Sequence, residues 1–426
     1  MNVFLDTIGC RLNQSEIEKM AGQFRAAGHV LVDNPAEADL VVVNTCVVTT
    51  AAASDSRQKI RQASHAGAER IVVTGCWATL QPDTAAAMPS VTRVFTNPQK
   101  AHLVSELLSI PEENFDLEPI ARHPLPGSHK RTRAFIKAQE GCNNFCTFCI
   151  TRLVRGEAQS MLIGPVLKDI HSAVAGGAQE IVLTGVHLGA WGKDFSPPAQ
   201  ITSLVRTILA ETDVHRLRLS SIEPWDLDAE FFSLWQNPRL CKHIHLPLQS
   251  GCDATLKRMG RKTTQAAYIE LVQMARSAAE DIAITTDIIV GFPGETETEF
   301  SESSTFIRKM GFAGGHVFHF SPRPGTPAAR LPDQVSRVAT KHRSTDLRLA
   351  LSESAQNYRR SYLGEVMPVL WEVADDLGSG KWHLEGHTDN YLRVSLTAPG
   401  NLWNKIALVR LTELTSDGFI GELQNL

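Results

Sequence analysis

The sequence of 426 residues lacks the long hydrophobic runs that membrane-spanning helices need. A span requires about 18 or more consecutive apolar residues, and since no such stretch occurs we predict no membrane segment. The opening residues, MNVFLDTIGC, lack the basic segment of a signal peptide and are typical of a first β-strand. These absences predict a soluble protein of the cytoplasm.

The chain also lacks an excess of positive charge. Its 42 Lys and Arg residues stand against 46 Asp and Glu residues, a net charge of −4, which argues against a purely electrostatic hold on nucleic acid. Residues 129–355 are the exception, with 26 basic and 23 acidic side chains. If RNA is bound, we expect this region to supply the cations, through residues such as Arg131, Arg133, Arg152 and Arg155.

Three regions with different patterns divide the chain and predict an α/β protein. Residues 1–128 alternate apolar strands with amphipathic helices, which predicts a doubly wound parallel sheet. Residues 129–355 contain six strand-like runs with helical stretches between most of them, the rhythm of a partial (β/α)6 barrel. Residues 356–426 contain alternating runs between turn residues and predict a small antiparallel β-barrel. The Pro-rich, charged segment Pro111–Lys130 is predicted to be a linker.

The expected elements can be placed by residue. In the first region the strands are Val3–Thr7, Leu40–Asn44 and Ile71–Thr74, and the helices are Ser15–Ala27 and Ala52–His65. In the second region the strands are Ala134–Ala138, Glu180–Thr184, Arg216–Ser220, His243–Leu248, Ala283–Val290 and Gly315–Phe320. In the third region the strands are Val366–Val373, Trp382–Glu385, Tyr391–Leu396, Lys405–Leu411 and Phe419–Leu423.

Three of the eight cysteines share one topological position. Cys10, Cys46 and Cys76 each follow the carboxyl end of a predicted strand in the first region. Ligands bind along this edge of a doubly wound sheet, so the three thiols are expected to converge. Any one of them alone could be a buried core thiol, because free cysteine packs as a small hydrophobe. Together they predict a shared metal site.

A second set of cysteines follows the first predicted barrel strand. Cys142, Cys146 and Cys149 form the pattern CxxxCxxC. Three thiolates in one short loop can hold three corners of a cubane iron–sulfur cluster and leave the fourth iron open to a small molecule. Zinc is the alternative, but closed zinc sites take four ligands, and no His or Cys nearby completes a set. Cys241 and Cys252 have no ligand spacing and are predicted to be ordinary thiols.

These motifs resemble those of the radical S-adenosylmethionine (SAM) superfamily, and within it the methylthiotransferases. The resemblance rests on both cysteine sets and on four motifs: NTC at Asn44–Cys46, TGC at Thr74–Cys76, EGCNNFCTFCI at Glu140–Ile150 and GFPGET at Gly291–Thr296. It implies a flavodoxin-like first domain, a radical SAM barrel and a small RNA-binding barrel of the TRAM type.

The resemblance also implies the cofactors. Two 4Fe–4S clusters are expected, one on Cys10, Cys46 and Cys76 and one on the catalytic ligands Cys142, Cys146 and Cys149. At the second cluster the open iron would chelate SAM, whose reductive cleavage gives a 5′-deoxyadenosyl radical. Phe148 is expected to pack on the adenine, or else only to pack the loop. Four residues at or near strand ends could reach SAM or could only cap the barrel mouth, namely Ser221, Glu223, Gln249 and Asp287.

Further motifs resemble one branch of this family, which acts on N6-threonylcarbamoyladenosine in tRNA. They are VVNTCVVT, EIVLTGVHLGAWG, LRLSSIEP, HLPLQSG, TTDIIVGFPGETE and RPGTPAA. This implies methylthio transfer to C2 of that base, an anticodon stem-loop of tRNA as partner, and an electron donor such as flavodoxin or ferredoxin; the sulfur donor is left open. The alternatives are tRNA isopentenyladenosine, a ribosomal-protein aspartate, or a non-enzymatic iron–sulfur or zinc RNA-binding protein.

The sequence departs from the family pattern after the second cysteine set. The family has Ile-x-Pro-Tyr-x-Arg-Gly, whereas Arg152 and Leu153 stand here at the Pro and Tyr positions. Further on, Gln159 replaces a basic residue. The first change concerns the loop between SAM and substrate and the second an RNA contact, so both bear on the choice of substrate.

Overall fold

The computed structural model describes residues 1–111, 115 and 132–424. Nearly all of the predicted linker Pro111–Lys130, the predicted boundary at 128/129 and Arg131 lie outside these residues. Within the described ranges, every helix is too short or too polar to cross a lipid bilayer.

The first domain is a five-stranded parallel sheet with the order β2-β1-β3-β4-β5. This is the strand order of flavodoxin-like folds, so the doubly wound sheet is confirmed. Two strands were not predicted, the very short β2 and the partly exposed β5. The elements are β1 (Asn2–Thr7), α1 (Arg11–Ala26), β2 (Val30–Leu31), β3 (Leu40–Thr45), α2 (Thr50–His65), β4 (Ile71–Gly75), α3 (Cys76–Leu80), α4 (Pro82–Ala86), β5 (Val91–Phe95) and α5 (Leu103–Leu108).

Burial on both faces of this sheet explains its continuous apolar strands. On one face Val41 and Val43 of β3 pack with Ile60 of α2. On the other face Val42 packs with Ile17 and Phe24, which belong to the apolar stripe of α1. Helix α1 begins at Arg11, earlier than the predicted start at Ser15, because the polar residues of its first turn are held in hydrogen bonds to the cysteine loops.

The second domain is a partial barrel of six parallel strands, as predicted. Strands β6, β9 and β10 form one group and β11, β12 and β13 form another. The groups join where the amide of Leu217 donates to the carbonyl of Arg239 and the amide of Cys241 donates to that of Leu217, both at 2.8 Å. The elements are β6 (Arg133–Lys137), β7 (Gln139–Glu140), α6 (Thr151–Arg155), β8 (Gln159–Ser160), α7 (Ile163–Ala175), β9 (Glu180–Thr184), α8 (Ile201–Glu211), β10 (Arg216–Leu219), α9 (Ala229–Phe232), β11 (His243–His245), α10 (Asp253–Arg258), α11 (Gln265–Ala278), β12 (Ala283–Val290), α12 (Glu297–Met310) and β13 (Gly314–His319).

A long helix, α13 (Arg337–Arg360), connects the barrel to the last domain. Leu347 and Leu351 pack in the barrel core, whereas Tyr358 packs against the core of the last domain. The predicted boundary at 355/356 falls inside this helix.

The last domain is a closed five-stranded barrel with the order β14-β15-β16-β18-β17. Its strands are β14 (Val366–Gly378), β15 (Lys381–Thr388), β16 (Arg393–Ala398), β17 (Ile406–Leu414) and β18 (Phe419–Leu423). The predicted barrel is confirmed, with one difference: β16 and β18 pair in parallel, while the other pairs are antiparallel. An odd number of strands cannot close a ring with every neighbour antiparallel, so one parallel pair is required.

Candidate metal centre and active site

The structure places the first cysteine set at the ends of three adjacent strands. Cys10 follows β1, Cys46 follows β3 and Cys76 follows β4. Burial raises the pKa of the Cys46 thiol to about 11, and the neighbouring Cys76 and Cys10 also contribute to this rise. The three thiols therefore lie within electrostatic range of one another, as the strand topology predicts.

Two glycines bring these strand ends together. Gly9 has a φ of +110°, and a Cβ there would stand 2.7 Å from the sulfur of Cys46. Gly75 has a φ of +97°, and a Cβ there would stand 2.4 Å from the carbonyl oxygen of Thr45. Side chains other than hydrogen do not fit at either position, so glycine before Cys10 and before Cys76 is a structural requirement.

Polar side chains surround this set. The Asn97 amide donates to the sulfur of Cys76 at 3.5 Å, and the Ser56 hydroxyl accepts from the amide of Cys46 at 3.0 Å. Asn13 donates to the carbonyl of Thr45 at 3.1 Å, and its side-chain oxygen lies 3.9 Å from the Cys10 sulfur, as an acceptor for the thiol. Of these side chains Asn97 donates to a sulfur, and a donor beside a thiolate stabilises its negative charge, which suits a metal ligand.

The second cysteine set lies in a loop held by both flanks of the barrel mouth. The Cys142 amide donates to Gly156 at 3.1 Å, and the Thr147 amide donates to Met259 at 2.9 Å. Burial raises the pKa of Cys146 to about 11; Arg261 opposes this rise, while Cys149 adds to it. Burial also raises the pKa of Cys149, and Cys142 adds to it.

The donor chemistry of both sets fits iron–sulfur ligation. All eight cysteines are free thiols. Among the described residues, no three His, Cys, Asp or Glu side chains close around one point as a single metal ion requires. A cubane cluster is itself several atoms wide and takes its thiolates at separate corners. Two sets of three gathered thiols are consistent with that arrangement.

Several residues beside the second set were not singled out from the sequence, although His187 lies within the motif EIVLTGVHLGAWG. His187 lies 2.5 Å from Asp226 and 3.9 Å from the sulfur of Cys142. Burial opposes protonation of His187, but the hydrogen bonds to Asp226 and Cys142 outweigh it and raise the pKa to about 9. Arg261 lies 3.8 Å from the Cys146 sulfur and under the ring of Trp225. Only their spacing after strand ends could have indicated them.

The predicted SAM-contacting residues lie in different settings. Phe148 is half-buried and packs edge-on against Phe292 at 6.4 Å, so it at least packs the loop. Ser221 is exposed just past β10. Glu223 pairs with Arg261 at 2.6 Å, close to the Cys146 sulfur.

Gln249 and Asp287 belong to the wall of the barrel. Gln249 has a φ of +74° and exchanges backbone hydrogen bonds with β12, accepting from Ile289 and donating to Asp287 at 2.8 Å. The Asp287 carboxylate lies 3.3 Å from both His245 and His316. Burial opposes ionisation of Asp287, but these two hydrogen bonds lower its pKa.

A buried ion network joins the two cysteine loops. Arg155, six residues after Cys149, pairs with Glu16 at 2.9 Å and with Glu140 at 2.8 Å, and also donates to Asn13. Lys100 pairs with Glu16 at 2.7 Å. The predicted RNA contact of Arg155 is therefore wrong, because its side chain is only 2% exposed and its charge is already neutralised.

Among the other residues expected to contact RNA, the expectation for Arg133 needs revision, whereas that for Arg152 stays a prediction. Arg133 pairs with Glu372 of the last domain at 2.9 Å and is 16% exposed, so it serves the contact between domains rather than a phosphate. Arg152 lies over the exposed ring of Phe145 at 4.1 Å, beside the exposed Leu153. Gln159 is exposed on β8.

The remaining cysteines behave as predicted ordinary thiols. Cys241 and Cys252 are buried, at 2% and 1% exposure. Burial raises the pKa of Cys241 to about 12 and also raises that of Cys252.

Comparisons with known proteins match this arrangement. Residues 2–96 match the family described as uncharacterized protein family UPF0004, and residues 136–307 match the radical SAM superfamily. The solved radical SAM methyltransferase TsrM from Kitasatospora setae aligns with a TM-score of 0.58 over 77% of this chain and 75% of that chain, at 15% identity. This likeness shows a shared fold. The partial barrel and its cysteine loop thus define a radical SAM enzyme, which uses an iron–sulfur cluster and SAM.

Sequence relatives identify the family within the radical SAM superfamily. The threonylcarbamoyladenosine tRNA methylthiotransferases MtaB of Bacillus subtilis and Thermotoga maritima are each 35% identical, over 96% and 98% of this chain and 93% and 96% of their own lengths. The tRNA-2-methylthio-N(6)-dimethylallyladenosine synthase of Geobacillus thermodenitrificans is 30% identical over 99% of this chain and 83% of its own length. The chain belongs to the family of radical SAM tRNA methylthiotransferases.

Proposed function

We propose that this enzyme adds a methylthio group to C2 of N6-threonylcarbamoyladenosine next to the anticodon of tRNA. The observation that carries the proposal is the 35% identity to two MtaB proteins along nearly the whole chain. The two gathered cysteine sets, each at strand ends that face a ligand-binding edge, support it independently.

Two 4Fe–4S clusters would be held by six cysteines. Cys10, Cys46 and Cys76 are proposed for the first, and Cys142, Cys146 and Cys149 for the second, which also takes SAM. When bound, these groups supply the sulfur to be transferred, its methylation and the reductive cleavage of SAM that permits hydrogen removal from an unactivated carbon. We assign the ligands on donor chemistry, because each set offers three free thiols, and a cubane cluster held by three thiolates keeps one iron for an exogenous ligand.

Residues of the chain itself would bind and orient SAM. Phe148 would pack on the adenine of SAM, with Phe292 fixing its ring from the side. Ser221, Glu223, Gln249 and Asp287 would contact the ribose and amino-acid parts of SAM. The pairing of Glu223 with Arg261 fixes that carboxylate beside Cys146, and the two histidines fix Asp287.

Three domains would divide the work: residues 1–128, 129–355 and 356–426. The TRAM-like barrel is proposed to orient the anticodon stem-loop, whose unpaired base can be splayed out toward the barrel mouth. A flavodoxin or ferredoxin would deliver electrons, and the sulfur donor is left unnamed. Because its substrate would be tRNA, we place the enzyme in the cytoplasm.

Mass spectrometry of tRNA nucleosides tests the substrate. In a deletion strain, 2-methylthio-N6-threonylcarbamoyladenosine should disappear and its unthiolated precursor should accumulate. The wild-type gene should restore the product, and a Cys142→Ala gene should not.

Methylthio transfer to dimethylallyladenosine (isopentenyladenosine) in tRNA is the second candidate function, because a synthase of that modified base is 30% identical over 99% of this chain. Loss of the methylthio group from isopentenyladenosine in the deletion strain, with threonylcarbamoyladenosine unaffected, would establish it instead. Loss only from a ribosomal-protein aspartate would establish the third branch.

A further inference from the structure

A large aromatic side chain is exposed in the loop of the second cysteine set. Phe145, which directly precedes Cys146, is 73% exposed. The backbone beside it is nonetheless held in place, because Thr147 donates through its amide to the carbonyl of Met259 and through its hydroxyl to that of Arg258, both at 2.9 Å. The loop thus presents the ring to water in a fixed position, so little backbone entropy would be lost when a ligand binds to it.

Arg152 extends the exposed surface around this ring. Its guanidinium lies over the Phe145 ring, 4.1 Å from the centroid. It covers one face of the ring, and the high exposure of Phe145 leaves the other face open. The charge of Arg152 is only weakly compensated, since its ion pair with Glu157 is 3.7 Å long and Glu157 is 78% exposed. Together the two side chains form a flat surface that carries a positive charge.

This surface lies between the two cysteine sets. Phe145 belongs to the loop of the second set. Helix α6, which carries Arg152, is tied to the first set through Asn97, whose amide donates to the carbonyl of Val154 at 2.7 Å and to the sulfur of Cys76 at 3.5 Å. A substrate base that reacts with groups held by both sets must come close to this surface, and so must the nucleotides beside that base.

An unpaired nucleobase is the partner that this surface fits best. Proteins recognise the bases of RNA loops by stacking them on aromatic rings and on arginine guanidinium groups. A protein electron donor is the other macromolecule that has to approach the clusters. A standard protein interface buries about 800 Å² on each partner, far more than one ring and one guanidinium offer, so RNA is favoured.

We propose that Phe145 and Arg152 form a stacking platform for the unpaired nucleotide next to the modified adenosine in the anticodon loop. This inference rests on the proposed function, because it requires tRNA as the substrate. The base would lie on the open face of Phe145, while Arg152 would hold the ring from the opposite face and contribute its charge to the binding of phosphates. Arg152 stands where the family pattern has Pro, so the pair is a feature of this chain rather than of that pattern.

Fluorescence of synthetic anticodon stem-loops tests this inference without turnover. The reconstituted protein, kept without SAM and reductant, is titrated with stem-loops that carry N6-threonylcarbamoyladenosine and 2-aminopurine at the nucleotide on its 3′ side or on its 5′ side. Wild type should quench one of the two probes, because 2-aminopurine loses fluorescence when its ring is stacked. Phe145→Ala should abolish the quenching and raise the Kd at least about fivefold, the lower value for the loss of one stacked base.

Further variants separate stacking from apolar contact and from charge. Phe145→Trp should keep both the quenching and the affinity, whereas Phe145→Leu, which is apolar but not aromatic, should lose the quenching. Arg152→Gln should raise the Kd and flatten its dependence on salt, since a cation is lost. Leu349→Ala on α13 and Arg206→Gln on α8 remove an exposed apolar side chain and an exposed, ion-paired arginine elsewhere in the domain, and both should bind as wild type does.

The outcomes are distinct. Iron content is measured for every variant, because Cys146 is adjacent; should Phe145→Ala lose iron, Phe145→Leu decides. Quenching that stays at the wild-type value in the deciding variant, or a wild type that quenches neither probe, overturns the platform. Unchanged RNA binding by Phe145→Ala together with slower reduction of the clusters by flavodoxin would also overturn it and assign the surface to the electron donor.

Failure of the platform and failure of the proposed function can be told apart. If the deletion strain still loses the methylthio group from threonylcarbamoyladenosine, the proposed function survives the loss of the platform. Unchanged tRNA nucleosides in that strain would instead overturn the proposed function itself.

Discussion

Six cysteines are the proposed cluster ligands of this chain, and the residues beside them determine how closely those cysteines can approach one another. Cys10, Cys46 and Cys76 come from strand ends that are distant in sequence, and small or polar neighbours hold them. Gly9 and Gly75 admit the close approach of the chain, while Asn97 and Asn13 donate hydrogen bonds at the same place. These contacts make the cysteine sets testable one residue at a time.

Replacing Cys142, Cys146 and Cys149 together with Ala should remove one of two clusters. Iron should fall from about eight to about four per chain in anaerobically reconstituted protein, because one set of three thiolates is lost. Reductive cleavage of SAM should be abolished. Iron that stays near the wild-type content would refute the ligand assignment, and the corresponding triple variant of Cys10, Cys46 and Cys76 should retain SAM cleavage.

The Gly9→Ala substitution should disrupt the first cysteine set without touching a ligand. Its methyl group would stand 2.7 Å from the sulfur of Cys46, and its φ of +110° disfavours any L side chain. Backbone strain of this kind costs about 1–3 kcal/mol. We expect lower iron content and a lower free energy of unfolding, measured by iron assay and urea denaturation. Gly28→Ala also changes a glycine with a positive φ but meets no atom within 4 Å, so it should keep its iron.

At the scale of elements, the interface between the first domain and the barrel contains an ion network beside the apolar contacts of Ile150 and Val154. Helix α6 places Arg155 between Glu16 of α1 and Glu140 of β7. Burial opposes ionisation of Glu16, but Lys100 and Arg155 outweigh it and lower its pKa strongly. The network thus fixes one cysteine loop relative to the other through charges that water does not screen.

Removing the cation of this network should be costly. Arg155→Met leaves Glu16 and Glu140 with a buried, partly uncompensated charge, for which about 3–5 kcal/mol is typical. Urea denaturation should show this loss. Arg152→Met on the same helix is the matched control, since Arg152 is 35% exposed and its ion pair with Glu157 is long, at 3.7 Å. Equal stability of the two variants would show that the network contributes nothing.

Periodicity was sufficient to predict most elements, whereas the six proposed ligands, taken from strand-end position and from the CxxxCxxC spacing, stay predictions. Strands such as β3, β9 and β12 are buried and apolar on at least one face, so their pattern is local and readable. The missed β5 has a single fully buried residue, Phe95, and β2 is two residues long, so neither has such a pattern. The role of Arg155 depends on Glu16, which lies 139 residues away in the sequence, so no local pattern contains it.

At the scale of the whole molecule, the last domain packs against the barrel at β10, through a contact region that includes Arg216 and Arg218 and is here called the barrel floor. Arg216 donates to the carbonyls of His387 and Pro368, and Arg218 donates to those of Asp389 and Thr388. Deleting the domain would therefore expose buried charges of the barrel. Point variants are the better test of its role.

Low pH should destabilise the barrel floor, because it protonates Glu180. Burial opposes ionisation of Glu180, but Arg218, Arg133 and Arg216 outweigh it and lower the pKa from 4.5 to about 2. A lowered carboxyl pKa gives stability that is present above about pH 5 and is lost as the pH falls toward 2. The difference corresponds to about 3 kcal/mol. Glu180→Gln should have a lower free energy of unfolding at neutral pH, and that free energy should fall less steeply between pH 5 and 2 than in wild type. An unchanged dependence of the free energy of unfolding on pH, measured by urea denaturation, would contradict this account.

Variants of Tyr391 should show how strongly its side chain stabilises the contact between the last domain and the barrel. Its ring stacks between His243 and His387, each at 4.9 Å, and its hydroxyl accepts from Arg133. Tyr391→Phe loses only the hydrogen bond and should cost about 1 kcal/mol. Tyr391→Ala also loses the ring and should cost about 3–5 kcal/mol. Because the ring joins two domains, limited proteolysis should release the last domain faster from the Ala variant than from the Phe variant. Identical denaturation and proteolysis of both variants would show that the ring does not hold the domain to the barrel.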